Sequence, residues 1–325
     1  MKINRRNLLV GALTSGATYK LSAQTVTPLI GIAEPDQSID LWPHGAPGQP
    51  LIRLNETVIE RSENPALMDR AVVAISQPRL MVFRPKVVNG AAVLITPGGG
   101  YQRVVVDKEG YQLGRWLSAR GFTVFVLLYR LPHEGWAAGA EVCLSDAQRA
   151  MRLIRSHAKD YAIDPERVAS MDFSAGGHLC ADLATRFDTK TYSAVDSADE
   201  LSARPSVAAP IYPVISMSSP LAHAGSRKRL IGNDATLALE KLHSPHLNVT
   251  EKTPPFFLIH AEDDSSVVVE NSLVMREALK AKGIAVEMHL FVQGGHGFGL
   301  PEARAKLIAI WPELFLAWAK TQELI

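Results

Sequence analysis

Three residue types in this chain, a serine, an acidic pair and a histidine, make up the set that nucleophilic acyl transfer requires. They are Ser174, Asp263 with Asp264, and His296, and each comes shortly after a segment that is typical of a buried strand. A serine hydroxyl is a poor nucleophile until a neighbouring base takes its proton, and the base needs a carboxylate to orient it. The chain order serine, acid, histidine is the one expected when a parallel sheet carries this triad.

The serine lies in a pattern that predicts a strand, a sharp turn and a helix. The pattern is close to the five-residue turn G-x-S-x-G, with Ser174 at its centre and Gly176 at its end, but Asp172 replaces the first glycine. Such a turn lifts the serine hydroxyl above the sheet and aims backbone N–H groups, including that of Ala175, at a reacting carbonyl. An ordinary strand-to-helix turn is the alternative.

Asp172 is a departure from this pattern with two conceivable consequences. Because strand and helix pass closely there, a residue larger than glycine predicts a strained or slightly opened turn. A carboxylate beside the base would also raise the pKa of that base. We expect instead that the Asp172 carboxylate packs away from the site and hydrogen-bonds to nearby backbone, since contact with the base would compete with the triad acid.

A glycine run provides a second backbone feature. The apolar segment 92–96 continues as Pro97-Gly98-Gly99-Gly100. Glycines at the end of a buried strand let backbone N–H groups approach a ligand closely, because no Cβ intervenes. We therefore expect an oxyanion hole formed by the N–H group of Ala175 together with that of Gly99 or Gly100.

Apolar strand-like runs alternate with amphipathic helical segments along the chain, which is the mark of a parallel sheet covered by helices. The predicted fold class is therefore α/β, with a mostly parallel central sheet and helices on both faces. Residues 216–250 interrupt the alternation and predict an inserted, cap-like loop region over the strand ends, where substrates bind. The predicted strands are 71–76, 80–83, 92–96, 122–129, 168–173, 207–211, 256–260 and 286–292, and the predicted helices include 109–120, 145–157 and 311–324.

Composition narrows the choice of partner. The 325 residues include 34 Lys and Arg against 33 Asp and Glu, so no net field favours nucleic acid or an anionic membrane, and a neutral small molecule fits best. A single domain over 24–325 is expected at this length. The sequence has no metal-ligand spacing and implies no cofactor. Cys143 and Cys180 are expected to be two small buried thiols rather than a disulfide.

The N-terminal residues 1–23 have the composition of an export signal. Arg5 and Arg6 precede a modest apolar run that ends near Ala23, which indicates the twin-arginine route. The run is too short to span about 30 Å of hydrocarbon, and a disordered tail is the alternative. The predicted location is therefore periplasmic or secreted. The following stretch, 24–53, is rich in Pro and Gly and is predicted to be extended chain outside the core.

Taken together, the motifs resemble the bacterial acetylxylan esterase-like branch of the α/β-hydrolases, related to bifunctional feruloyl and acetyl xylan esterases. The resemblance implies the α/β-hydrolase fold and a serine esterase that removes O-acyl groups, above all acetyl, from plant-type carbohydrate such as acetylated xylan. A serine peptidase of the prolyl-oligopeptidase type and a non-catalytic binding protein are the alternatives. The matching motifs are Leu41-Trp42-Pro43, Thr96-Pro97-Gly98-Gly99-Gly100-Tyr101, Tyr129-Arg130-Leu131-Pro132, Asp146-Ala147-Gln148-Arg149-Ala150, Phe173-Ser174-Ala175-Gly176-Gly177-His178-Leu179 and Gly295-His296-Gly297-Phe298-Gly299.

The resemblance also implies a role for each site residue. Ser174 is the nucleophile, His296 the general base and Asp264 the acid, chosen over Asp263 because Asp264 to Val267 matches the family's D-x-x-V spacing. The residues expected to form buried polar contacts or packing are Arg130, Asp146, Arg149, His178 and His260. The insertion residues that either contact a sugar or lie in a solvated loop are His223, Ser226, His243 and His246.

Overall fold

A computed structural model describes residues 34–64, 67–300 and 305–325, so the predicted export signal at 1–23 lies outside the described residues. The strands are β1 (Gln37–Asp40), β2 (Thr57–Glu60), β3 (Arg70–Val73), β4 (Arg79–Phe83), β5 (Ala92–Ile95), β6 (Val104–Val105), β7 (Thr123–Leu128), β8 (Val168–Phe173), β9 (Ala208–Ile211), β10 (Phe256–Ala261) and β11 (Val286–Phe291). The α-helices are α1 (Gln112–Ser118), α2 (Val142–Ser156), α3 (Ser174–Arg186), α4 (Ala224–Ile231), α5 (Leu237–Leu242), α6 (Glu270–Ala281) and α7 (Trp311–Thr321).

Eight strands form one sheet in the order β1-β4-β7-β5-β8-β9-β10-β11. All neighbouring pairs from β7 to β11 are parallel, whereas β1 with β4 and β4 with β7 are antiparallel. Every residue of β5, β7, β8 and β10 is buried, as a continuous apolar run predicts for a strand covered on both faces. The predicted mostly parallel α/β sheet is confirmed.

Helices cover both faces of this sheet, as the side chains of β10 illustrate. Successive side chains of a strand point to opposite faces. The ring of Phe257 contacts the rings of Phe315 and Trp318 in α7. Its neighbours Phe256 and Leu258 instead pack in a cluster with apolar residues of α6. The two helices therefore lie on opposite sides of the sheet.

The sequence patterns do not predict β1, β2 or β6. β1 and β2 are largely exposed and lie at sheet edges, and β6 is only two residues long. β2, β3 and β6 form a separate antiparallel sheet of three strands. Exposed edge strands need no continuous apolar run, so hydrophobic periodicity does not reveal them.

The prediction that 24–53 lies outside the core is wrong at Leu41, Trp42 and Ala46, whereas most of the other described residues of this stretch are exposed. Leu41 is fully buried and Trp42 is 6% exposed. The Trp42 indole Nε1–H donates to Asp146 Oδ1 at 2.9 Å, and Arg130 Nη2 donates to the same oxygen at 2.7 Å. A buried ion pair must be shielded and fully hydrogen-bonded, and this stretch supplies both the cover and a donor. Arg130 and Asp146 are thus the buried polar pair that the sequence predicts.

The insertion at 216–250 is a packed region built around α4 and α5 rather than a solvated loop. Ser226 in α4 and His243 after α5 are both fully buried. No helix in the described part of the chain is long and apolar enough to cross a membrane.

Candidate active site

The turn between β8 and α3 presents Ser174 at the edge of the sheet. Its backbone has a φ of +55°, a left-handed conformation that is uncommon for a residue with a side chain and is typical of a nucleophile in such a turn. The closest approach falls at Gly176, where a Cβ would lie 1.8 Å from the carbonyl oxygen of Thr96. β8 is regular through Asp172 to Phe173. The strand is therefore unbroken at Asp172, and the position that requires glycine is Gly176, where α3 approaches the residue after β5.

Ser174, His296 and Asp264 form one continuous chain of hydrogen bonds. Ser174 Oγ lies 2.9 Å from His296 Nε2, and His296 Nδ1 lies 2.7 Å from Asp264 Oδ2. The three side chains follow β8, β11 and β10, and the carboxyl ends of parallel strands meet at one edge of a sheet. The structure thus brings together the three residues that the sequence singles out.

The loop after β10 holds Asp264 as an ionised carboxylate. Its Oδ1 accepts hydrogen bonds from the backbone N–H groups of Ser266 and Val267, both at 2.9 Å. Burial raises the pKa of Asp264, but interactions with His260 and His296 outweigh burial, and the pKa lies well below its ordinary value. His260 Nε2 is 3.4 Å from Asp264 Oδ2. An acid that stays ionised can keep the imidazole of His296 in its working orientation.

Asp263 and His260, which lie beside this acid, hold the surrounding loops in place. Asp263 Oδ1 accepts from the N–H groups of Gly294 at 2.8 Å and Gly295 at 2.7 Å, so Asp263 fixes the loop that leads to His296. These backbone hydrogen bonds lower the pKa of Asp263. His260 Nδ1 pairs with Ser272 Oγ at 2.7 Å, as expected for a satisfied strand-end histidine. The geometry agrees with the choice of Asp264 rather than Asp263 as the triad acid.

The glycine loop after β5 leaves backbone donors available beside the nucleophile. Gly99 has a φ of +131°, and a Cβ there would lie 2.3 Å from the carbonyl oxygen of Arg103, so the position requires glycine. Within the described ranges, no group accepts a hydrogen bond from the N–H of Gly99 or Gly100. The N–H of Ala175 belongs to the first turn of α3, where helix amides lack acceptors in the helix and the dipole favours negative charge.

Asp172 is fully buried within β8. Its Oδ1 accepts from the N–H of Phe173 at 2.5 Å, and its Oδ2 has no hydrogen-bond partner in the described part of the chain. Burial, and then the nearby Glu109 carboxyl group, raise the pKa of Asp172 well above its ordinary value. This packing agrees with the expectation of a backbone hydrogen bond. A neutral carboxyl group adds no charge to the field at the base.

Glu109 is a site residue that the motif search misses. It lies in a turn of π-helix before α1, is 6% exposed, and its Oε2 has no hydrogen-bond partner among the described residues. A Cβ at Gly98 would lie 2.4 Å from this oxygen and 3.3 Å from Ser174 Cβ, so Glu109 lies beside the nucleophile. Burial raises the pKa of Glu109, and the charge of His296 opposes that rise. No signal in the sequence distinguishes Glu109, because an acidic residue is ordinary at the start of an amphipathic helix such as the one predicted over 109–120.

Tyr212 connects this glutamate to the base. Its hydroxyl donates to Glu109 Oε1 at 3.2 Å and accepts from the N–H of Gly299 at 3.3 Å. Its ring packs edge-on against the His296 imidazole, with ring centroids 5.0 Å apart. Tyr212 therefore supports the imidazole from the side and fixes one oxygen of Glu109. It follows β9 directly, and no motif in the sequence distinguishes it.

A cavity of about 410 Å³ opens over Ser174 and His296, a volume suited to a small ligand. A larger cavity of about 530 Å³ beside Trp42 is lined by no histidine, so chemistry rather than volume identifies the site. The residues that line the smaller cavity are Arg61, Gly99, Gly100, Gln102, Arg103, Val105, Lys108, Glu109, Ser174, His223, Gly225, Arg229, Ser266, His296 and Gly297.

The insertion residues differ in their relation to this cavity. His223 lines it, and its Nδ1 is 2.8 Å from Ser226 Oγ at the start of α4. Ser226 and His243 are fully buried and are not among the lining residues. His243 Nε2 lies 3.4 Å from Glu141. His246 is half-buried and also lies outside the lining set. Of these four residues, only His223 can therefore contact a ligand in the cavity.

The remaining polar residues hold loops beneath the site, as predicted. His178 Nδ1 is 2.6 Å from the Tyr101 hydroxyl, and its Nε2 is 2.8 Å from the carbonyl oxygen of His243, which links the glycine loop to the insertion. Burial lowers the pKa of His178 to about 4, so this imidazole is neutral near pH 7. The buried guanidinium of Arg149 binds Asp196 through two hydrogen bonds, at 2.8 and 2.5 Å.

Neither a metal site nor a reactive thiol accompanies the triad in the described ranges. They contain no group of three or more His, Cys, Asp or Glu side chains arranged to hold a metal ion. Cys143 and Cys180 are buried free thiols, as predicted, and burial raises the pKa of both. Neither thiol is therefore a reactive thiolate near pH 7.

The fold and the site together define the class of protein. A mostly parallel sheet with a serine at a strand-to-helix turn, followed by an acid and a histidine at later strand ends, is the arrangement of the α/β-hydrolases. The chain belongs to the BD-FAE family of this class, which it matches over residues 82–279. The predicted family is thus confirmed.

Curated relatives agree with this assignment. The chain is 31% identical over 225 residues to an acetylxylan esterase from Xylanibacter ruminicola, covering 68% of this chain and 44% of the relative. It is 36% identical over 205 residues to endo-1,4-beta-xylanase B from Butyrivibrio fibrisolvens, covering 63% of this chain and 32% of the relative. The chain thus spans less than half the length of both relatives.

Solved structures extend the similarity over nearly the whole chain. An acetyl ester-xyloside bifunctional hydrolase from Caldicellulosiruptor lactoaceticus is 33% identical, with a TM-score of 0.72 over 91% of this chain and 99% of that one. The carboxylesterase Cest-2923 from Lactobacillus plantarum WCFS1, at 23% identity and a TM-score of 0.64 over 84% of this chain and 99% of that one, shows the fold alone. The enzyme class predicted from the sequence, carboxylic ester hydrolase, is the class that most of these names share.

Proposed function

We propose that this protein is an exported serine esterase that removes O-acyl groups, chiefly acetyl, from plant-type carbohydrate such as acetylated xylan. The observation that carries the proposal is the hydrogen-bonded chain from Ser174 through His296 to Asp264, with distances of 2.9 and 2.7 Å, beneath an open cavity. Membership of the BD-FAE family supports ester hydrolysis. The relatives named as an acetylxylan esterase and an acetyl ester-xyloside hydrolase support an acetylated sugar as substrate.

The first half of the proposed reaction transfers the acyl group to the enzyme. Ser174 Oγ attacks the ester carbonyl carbon while His296 Nε2 takes the hydroxyl proton, and Asp264 stabilises the imidazolium that forms. The negative charge that develops on the carbonyl oxygen is met by the N–H groups of Ala175 and of Gly99 or Gly100. His296 then gives its proton to the sugar oxygen, and the carbon–oxygen bond to the sugar breaks.

The second half returns the enzyme to its starting state. Water attacks the carbonyl carbon of the acyl-serine while His296 takes a proton from that water. The Ser174 oxygen then leaves with the proton from His296, and the free acid departs. Losing one oxyanion donor typically costs about 10²- to 10³-fold in kcat. The backbone of the glycine loop therefore matters as much as many side chains.

Export is the part of the proposal that rests on sequence alone. The paired arginines Arg5 and Arg6 and the modest apolar run to about Ala23 favour a twin-arginine signal. Polymeric carbohydrate outside the cytoplasm would then be accessible to the mature enzyme. Expression in a host with and without a functional twin-arginine translocase tests this point, since only the first should deliver active protein across the membrane.

The central test compares the wild type with Ser174→Ala on an aryl acetate, an aryl amide and acetylated xylan. The wild type should release acetate from both esters and turn over the amide far more slowly, whereas Ser174→Ala should retain the fold and lose ester hydrolysis. Faster amide turnover would favour a peptidase instead. An absence of all turnover in well-folded wild type would favour a non-catalytic binding protein.

A further inference from the structure

The cavity over the nucleophile concentrates positive charge, although the chain as a whole is nearly neutral. The sequence has 34 basic and 33 acidic residues. The residues that line the cavity nevertheless include four basic side chains and a single acidic one, Glu109. The four basic residues are Arg61, Arg103, Lys108 and Arg229. Overall composition therefore does not account for this local excess.

The arginines reach the cavity from three separate elements. Arg61 directly follows β2, Arg103 follows the glycine loop, and Arg229 belongs to α4 in the insertion. The side chain of Arg103 passes close to the expected oxyanion donors, since its Cγ would lie 2.9 Å from a Cβ at Gly99. The positive charge is therefore assembled by the fold around the reacting centre and is not a run of basic sequence.

Two of these arginines form no ion pair with a described residue. Arg61 pairs with Asp69 at 3.2 Å, but no described residue forms an ion pair with Arg103 or Arg229. Burial, and then the charges of Arg61 and Arg229, lower the pKa of Arg103. Arg61, Arg103 and Arg229 line one cavity, so their like charges repel one another. A bound anion would relieve that repulsion and accept their hydrogen bonds.

Glu109 does not cancel this excess. Even when it is ionised, Glu109 offers one negative charge against four basic side chains. Asp264 is ionised, but it lies behind the imidazole of His296, to which it is hydrogen-bonded. The part of the cavity that faces a substrate is therefore cationic.

We infer that this cavity recognises an ester that also carries a carboxylate close to the scissile bond, with Arg103 and Arg229 as the groups that bind the carboxylate. The inference rests on the proposed function, because the same nucleophile attacks the ester. The carboxylate can belong to the alcohol, as in an O-acetylated acidic sugar, or to the acyl group, as in a half-ester of a dicarboxylic acid. Arginine binds carboxylate through two parallel hydrogen bonds and so orients the ester as well as attracting it.

Two pairs of esters distinguish these sources. O-acetylated methyl glucuronide is compared with methyl glucoside acetylated at the same hydroxyl, and 4-nitrophenyl hemisuccinate with 4-nitrophenyl butyrate. For at least one pair we expect kcat/KM to be about 10-fold to 100-fold higher for the acidic member, the range for hydrogen bonds to a charged group. The preference should fall as NaCl is raised from about 0.02 to 0.5 M, because salt screens the attraction.

Substitutions of the cavity arginines test whether the preference for acidic esters arises in this cavity. Arg229→Gln should reduce the ratio of acidic to neutral kcat/KM by about tenfold or more, and Arg103→Lys should leave part of it, since a lysine keeps the charge without the planar fork. The matched control is Lys228→Gln, which removes the same charge from the neighbouring, exposed position of α4. This control should leave the ratio unchanged.

The outcomes separate this inference from the function on which it depends. Turnover of the neutral esters without preference for either acidic partner, or an equal loss in Lys228→Gln and Arg229→Gln, would overturn the carboxylate site and leave ester hydrolysis intact. Failure to hydrolyse any of the four esters would overturn the proposed function, and the inference with it. Should Arg229→Gln fail to fold by circular dichroism, a wild-type preference that is insensitive to salt would overturn the inference.

Discussion

Two regions at one edge of the sheet each bury an aspartate, but the pKa of Asp264 is lowered whereas that of Asp172 is raised. Asp264 after β10 is 5% exposed and Asp172 at the end of β8 is fully buried, so burial hardly differs. Asp264 has backbone N–H donors at one oxygen and the imidazole of His296 at the other. Asp172 Oδ1 accepts from the N–H of Phe173, and burial outweighs this hydrogen bond and the weaker influence of Thr96. Burial raises the pKa of both carboxyl groups, and the interactions of Asp264 with His260 and His296 outweigh burial at that residue alone.

This difference separates a triad acid from a structural residue more reliably than the sequence does. Both aspartates lie close to the end of a buried strand, Asp172 one residue before the end of β8 and Asp264 three residues after the end of β10. Burial raises the pKa of both, but only at Asp264 do the surrounding donors reverse the direction. The carboxylate that stays charged is the one that contacts the base.

The largest expected effect is that of Asp264→Asn. An amide cannot stabilise the imidazolium of His296 and favours the wrong tautomer, so kcat on an aryl acetate should fall by about 10³- to 10⁴-fold with the fold retained. Asp263→Asn is the matched control, because it alters the adjacent carboxylate, which binds only the loop that leads to His296. We expect a much smaller loss in this variant.

The order of these two defects, measured with stopped-time assays and circular dichroism on both proteins, is decisive. If Asp263→Asn proved the more severe, the acid would be assigned to the wrong member of the pair. The comparison of Asp172 with Asp264 would then no longer explain how the triad acid stays ionised.

A smaller effect is expected at Glu109, whose carboxyl group interacts with His296. A carboxylate near an imidazole favours its protonated form, so removing the charge lowers the pKa of the base. Glu109→Gln should therefore move the acidic limb of the kcat/KM profile to lower pH by a few tenths of a unit. Asp172→Asn should leave the limb in place, since Asp172 is neutral. A pH–rate series on three proteins checks this, and a larger shift for Asp172→Asn would contradict it.

The last effect concerns folding stability rather than activity, and it arises at Asp172. The unfolded chain ionises an aspartate near pH 3.9, whereas the folded protein keeps Asp172 protonated to well above that pH. Wild type should therefore lose stability as pH rises above about 4 toward the folded pKa, by about 1.4 kcal/mol per pH unit at most. Asp172→Asn lacks this titration. The free energy of unfolding is measured with urea at pH 4 and pH 7 for both proteins. Between these pH values the stability of Asp172→Asn should increase relative to that of wild type. An equal change in the two proteins would show that Asp172 is not neutral in the folded protein.

The sequence predicts the parts of the site that local patterns determine. Ser174 and His296 follow strands that are recognisable as apolar runs. Gly99 and Gly100 adopt positive φ angles, a local conformation that favours glycine and that the sequence therefore reveals. Glu109 and Tyr212 are different, because their roles arise from contacts between elements distant in sequence.

Contacts between distant elements also explain the errors in the predicted fold. Trp42 lies in a Pro- and Gly-rich stretch that reads as exposed, yet it covers an ion pair formed more than 80 residues later. Periodicity reports whether a segment has a buried face, but not which distant polar group needs cover. The tight approach at Gly176 likewise depends on the carbonyl of Thr96, on another strand.

The most direct test of the central claim is to label the purified protein with a serine-directed fluorophosphonate and measure its intact mass and modified peptide. The account predicts one adduct per chain, located at Ser174, because this serine combines a base at 2.9 Å, a chain of hydrogen bonds to a charged acid and a place in the wall of the open cavity. Ser226 and Ser272 also lie beside histidines, but both are fully buried. Ser174→Ala and the unfolded wild type should not react. An adduct on a different residue, or none in protein that is fully folded, would contradict the assignment of Ser174 as the nucleophile.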